Sequence, residues 1–156
     1  MPSDFHARFS AKWRKYQYLI LNSHFSSPFY RNYACFFPHE LDIDRMIDGA
    51  AFLAGKHDFA SFCTESKNME NTVRTISLLS IEKKGSTFGE GNFISIDIAA
   101  DAFLYGMIRS IAGILIDVGR GRKSPEDVKM VLEARDRTMG PMVRPAHGLY
   151  LMEVGY

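Results

Sequence analysis

The residue pattern predicts an α+β fold: a four-stranded, mainly antiparallel sheet with helices on one face. Three observations carry this. Ile94, Ile96 and Ile98 alternate with Ser95 and Asp97, the period of a half-buried strand. Residues 102–118 are largely apolar around the whole circumference of a helix, which implies a helix buried on all sides. Ser124-Pro125-Glu126-Asp127 sets a capping serine before a proline at the first helical position, which starts a further helix.

The elements follow in order. Residues 15–21 are aromatic and aliphatic and predict a strand, with Tyr16, Tyr18 and Ile20 on one face. Residues 22–38 read as loop, punctuated by Ser-Ser-Pro and Phe-Phe-Pro. Ile43, Met46, Ile47, Ala50 and Leu53 are spaced for the buried face of a helix over 42–54. Asp42 or Asp44 suits its positive end, and Gly55 ends it. Residues 57–62 form a compact loop anchored by Phe59 and Phe62. A strand over 73–82 leads to a turn from Lys83 through Gly91, and a second strand covers 92–99. Gly119 and Gly121 stop the buried helix, the proline-capped helix runs to about Arg135, and 148–154 closes the chain as a strand. The order β-α-β-β-α-α-β folds most simply as a ferredoxin-like sandwich. At 156 residues, one domain with one core is expected over 1–156.

Composition narrows the function. With 46% hydrophobic and 24% charged residues, a disordered chain is excluded. The net charge is only +1, yet no acidic residue occurs between Phe5 and His39, where Arg8, Lys12, Arg14, Lys15 and Arg31 lie. Such an excess suits a phosphate backbone, or else a solvated basic face. Cys35 and Cys63 are the only cysteines, and no Cys/His ligand spacing exists, so no metal is expected. A reduced, cytoplasmic setting follows. The first residues hold no apolar signal stretch, and 102–116 is too short for a bilayer and contains Arg109, so no membrane partner is expected.

Arg109 is the only charge in the apolar segment 102–116, bordered on the helical wheel by Gly106 and Gly113. A buried guanidinium without a carboxylate is very costly. Either Arg109 snorkels to water or pairs with a structural acid such as Asp97 or Asp101, or it holds a catalytic carboxylate or a phosphate in a cleft. The small neighbours permit close approach of a backbone or a ligand.

Four segments together resemble one family. Phe5-His6-Ala7-Arg8-Phe9-Ser10-Ala11, followed by Lys12 to Ile20, is similar to the FHARFSA…R-[RK]-Y-x-Y segment of tRNA pseudouridine synthase A. His57-Asp58-Phe59-Ala60-Ser61-Phe62 resembles the HDFxSF loop, residues 102–113 the AFxxxMVRNIVG helix, and Pro145 to Leu151 the closing PAHGLYL. The matches fall in the family's order and span nearly the whole chain.

The resemblance implies the carboxyl-terminal domain of a cofactor-free isomerase. Such an enzyme converts uridine to pseudouridine in the anticodon stem and loop of tRNA, and the family is homodimeric. It implies roles residue by residue: Tyr16 stacks on the target uracil and takes the carbon 5 proton, and Arg109 pairs with the catalytic aspartate. Leu149 or Leu151 lines the uracil pocket, and Arg8 serves a phosphate or the flipped base. Lys12, Arg14 and Lys15 would contact tRNA phosphates. The family's aspartate sits in an RTDAGVHA-like motif, and none occurs among these residues. Asp58, Asp97 and Asp101 are local acids, but nothing marks any of them as a nucleophile. The chain alone is therefore expected to be inactive, as a truncated form, a miscalled start or a natural fragment. Two other readings use the same fold: a non-catalytic RNA-binding module, although no RNP1-like pattern is present, and a ligand-sensing or oligomerisation domain.

Overall fold

The computed structural model describes residues 5–65, 70–85 and 92–156. Six strands form one mixed sheet: β1 (Trp13–Asn22), β2 (Cys35–Phe37), β3 (Gly55–Asp58), β4 (Val73–Gly85), β5 (Asn92–Ala100) and β6 (Leu149–Gly155). The helices are α1 (Ile43–Ala51), α2 (Met107–Gly119) and α3 (Pro125–Ala134). The sheet order is β2-β1-β5-β4-β3, and β6 also pairs with β1.

The class is α+β as expected, but the sheet has six strands rather than four. Two short strands lay in stretches read as loop. β2 is three residues long and pairs in parallel with the end of β1, Ile20 opposite Cys35. β3 ends on His57 and Asp58, the first two residues of the HDFASF segment, and pairs antiparallel with β4. On the free side of β1, β6 takes Trp13 to Tyr18 and β2 takes Ile20 to Asn22, so two strands share one edge in tandem. The predicted turn begins later than expected, because Lys83 to Gly85 belong to β4; its remainder, 86–91, lies outside the described residues.

The alternation in β5 places Ile94, Ile96 and Ile98 in the core beside Tyr18 and Ile20 of β1. A register shift between Ile76 and Leu78 lets β4 turn both Ile76 and Ile81 inward despite their odd spacing. All three helices contribute to this same core, through Met46 and Ala50, through Ile111 and Ile114, and through Val128 and Leu132. On the opposite face, Leu21, Ala34 and Phe93 form a small second cluster with Tyr30.

Helix ends follow their signals with some shifts. Asp42 caps α1 by accepting from the Arg45 N–H at 3.1 Å. That helix stops at Ala51 instead of Ala54, and Gly55 opens β3 at φ 91° instead of ending the helix. Ser124 and Asp127 cap α3 reciprocally. The helix predicted from Ala102 begins only at Met107, because Gly106 takes the left-handed conformation at φ 72°. Thr64 packs against that glycine, and its N–H and hydroxyl donate to the Tyr105 carbonyl at 3.0 and 3.2 Å. From Met107 onward α2 is buried apart from Arg109 and Asp117, which are half-buried.

Candidate active site

Strand β1 presents Tyr16 on the face that carries the core. Directly opposite Tyr16 lie Ile98 on β5 and Leu151 on β6. The Tyr16 ring meets Phe103 edge-on, with centroids 5.2 Å apart. Phe103, expected within the helix, instead lies in the segment before it, where it can reach the strand. Tyr16 is half-buried, while Leu151 is 54% exposed. Leu149 sits two pairs further on, opposite Tyr18, and packs on the core. Of the two leucines, Leu151 therefore offers open apolar surface beside the tyrosine, and Leu149 is mainly packing.

Arg109 stands on the second residue pair of α2 and is half-buried. Its Nε donates to the Arg144 carbonyl at 2.6 Å, and the Arg144 N–H donates back to the Arg109 carbonyl at 3.2 Å. No carboxylate lies within 4.0 Å of it among the described residues, where the ion pairs are Lys129–Glu133 and Arg144–Asp117. The two acids that could have neutralised it are engaged elsewhere. Asp97 accepts from the Gln17 amide at 3.0 Å, and Asp101 accepts from the backbone N–H groups of Thr75 and Ala102. Asp58 likewise accepts from the Ala60 N–H and the Thr72 hydroxyl. Each of these three acids thus has a structural task.

The neighbouring Tyr18 is fully buried, and its hydroxyl donates to the Pro145 carbonyl at 2.8 Å. Burial pushes its phenol far above the ordinary range, and Cys35 adds to that. The charges of Arg144 and Arg109 pull the other way without prevailing. Residues 144 and 145 are thereby tied to α2 and to β1 at once.

The HDFASF segment supports this arrangement from below. Phe59 and Phe62 are fully buried with centroids 5.9 Å apart. The Ser61 hydroxyl accepts from the Asp136 N–H at 2.9 Å, and Arg137 donates to the carbonyls of Ser61 and Pro141. The loop thus fixes the chain that leads into Arg144.

The basic residues divide. Arg8 is exposed, with its guanidinium 5.7 Å from the Phe9 ring centre. Arg14 is committed within the chain, donating to the carbonyls of Arg8 and Asp101. Lys12 is exposed and Lys15 half-buried. An open depression of about 900 Å³ lies at the other end of β1 against Phe25, Phe29 and Lys83, away from Tyr16. Among the described residues no group of three or more His, Cys, Asp or Glu is placed to hold a metal, and no helix is long and apolar enough to cross a membrane.

Sequence reasoning missed Arg144 and Asp117. Asp117 follows Arg109 by eight residues, so a helical wheel would have set it on the same face. Arg144 acts on Arg109 through its backbone, for which sequence carries no signal.

Comparison with known proteins gives the family. The family described as tRNA pseudouridine synthase matches residues 50–156. The tRNA pseudouridine synthase A 2 of Clostridium tetani is 42% identical over all of this chain and 60% of its own length. The tRNA pseudouridine synthase A of Pseudothermotoga lettingae is 42% identical over all of this chain and 62% of its own, and that of Bacillus pumilus 40% over all of this chain and 61% of its own. The chain spans about three fifths of the length of these curated relatives. It belongs to the tRNA pseudouridine synthase family.

Proposed function

We propose that these residues form the carboxyl-terminal half of a uridine-to-pseudouridine isomerase acting on the anticodon stem and loop of tRNA. They supply one wall of its active cleft. The observation that carries the reading is Arg109: a half-buried guanidinium with no carboxylate partner among the described residues. A catalytic aspartate brought by an RTDAGVHA-like segment outside these 156 residues would neutralise it, and the resulting ion pair would fix that carboxylate at the ribose.

The reaction breaks the bond from N1 of uracil to C1′, turns the base, and joins C5 to C1′. The C5 proton leaves and N1 gains one, so composition is unchanged. Tyr16 suits both tasks on this wall, its ring for stacking and its hydroxyl for accepting the C5 proton. Leu151 gives the flipped base an apolar floor, because the target must leave its stack to be reached. Arg8, Lys12 and Lys15 would contact phosphates, whereas Arg14 serves mainly to hold the amino-terminal segment on β1. The reading needs no cofactor, and the working assembly is a homodimer with RNA lying across both subunits.

The test is tritium release from tRNA carrying 5-tritiated uridine. The 156-residue chain alone is expected to release none. Fused behind the amino-terminal remainder of the Clostridium tetani relative, it is expected to turn over. In that fusion Arg109→Ala and Tyr16→Phe each cost about a hundredfold or more, the scale of one lost general-base or charge-stabilising group. Full release by both variants would overturn the assignment, as would turnover by the chain alone.

A further inference from the structure

Arg109, Gly113 and Asp117 follow one another at intervals of four along α2 and so share one face. All three meet the same partner, residues 142–144. The Met142 carbonyl lies so close to Gly113 that no Cβ would fit there. The Arg144 backbone exchanges two hydrogen bonds with Arg109. The Arg144 side chain reaches along the helix to Asp117, with Nη2 3.6 Å from Oδ1 and the two side chains only 14% and 17% exposed. Its guanidinium also sits 5.7 Å from the centre of the Phe37 ring, and its Nε is buried without a hydrogen-bond partner. One step further, the Pro145 carbonyl is held by Tyr18.

We infer that Asp117 and Arg144 are positioning residues that set the rotation of the Arg109 guanidinium. This rests on the role proposed for Arg109. A guanidinium is a flat fork with two usable edges. The Arg144 carbonyl occupies its Nε, and the two terminal nitrogens make no hydrogen bond among the described residues. That edge is left to receive a carboxylate through two parallel bonds. The carbonyl can do this only while its own residue is pinned, and the ion pair to Asp117 pins it.

The test uses the whole 156-residue chain labelled with nitrogen-15. The Nε–H signal of Arg109 is assigned by its loss in Arg109→Lys, and its exchange with solvent is timed. In Asp117→Asn and in Arg144→Met that exchange is expected to quicken roughly tenfold, the equivalent of one hydrogen bond's net stabilisation. Asp117→Glu, which keeps the charge, is expected to retain slow exchange. Backbone amide signals of β4 and β5 report that the fold persists, and should one variant fail to fold the other carries the test. Unchanged Arg109 exchange in a folded variant overturns the inference and leaves the proposed function intact. Full turnover by Arg109→Lys in the fusion would instead sink the role of Arg109 and leave the exchange result standing.

Discussion

At the scale of single residues, Tyr18 and Arg109 meet burial in two different ways. Tyr18 keeps its proton because the interior disfavours a phenolate, and it spends that proton on the Pro145 carbonyl. Its folded pKa is raised above the unfolded value of about 10. The folded state therefore holds a proton that the unfolded state releases above pH 10, and the stability Tyr18 contributes is complete below that pH and lost as pH rises past it. Absorbance at 295 nm is expected to show Tyr18 ionising only together with unfolding, and Tyr18→Phe is expected to remove that component. An independent, earlier ionisation of Tyr18 would contradict its burial. Arg109 was legible in sequence as a charge out of place, because 102–116 holds no other. Its actual partner was not legible: the acceptor is a main-chain oxygen 35 residues away, and every residue has one.

At the scale of elements, close backbone packing decides more than propensity. Gly113 sits inside α2, where alanine would normally gain about 1 kcal/mol. The Met142 carbonyl reverses that sign. Gly113→Ala is expected to cost about 1–3 kcal/mol in urea unfolding, the usual penalty of overpacking, and to speed exchange at Arg109 as well. A more stable variant would show that residues 142–144 yield freely. Legibility followed the same logic. β5 and α3 were readable because alternation and a capping box are local signals. β2 was not, since three residues beside β1 are recruited by a distant partner and carry no period of their own. The start of α2 was misplaced because Thr64, far away in sequence, fixes Gly106 in a left-handed turn that composition does not announce.

At the scale of the whole molecule, much apolar surface stays open. Phe25 is 83% exposed and Phe29 77%, and Leu151 and Met152 are each 54% exposed. Surface of that kind favours association, and light scattering of the chain is expected to give a dimer or a larger assembly; a clean monomer would count against it. The sheet also has a temporal side. Within these 156 residues β1 comes ahead of the other strands, and the strand that sets Leu151 beside Tyr16 comes after them. Residues 144 and 145, which hold Arg109 and Tyr18, arrive scarcely earlier. A nascent chain can pair β4 with β5 and bury most of its helices while still attached to the ribosome. It cannot set Leu151 beside Tyr16 until Leu149–Gly155 has emerged, so the wall proposed for the uracil is completed only at that stage.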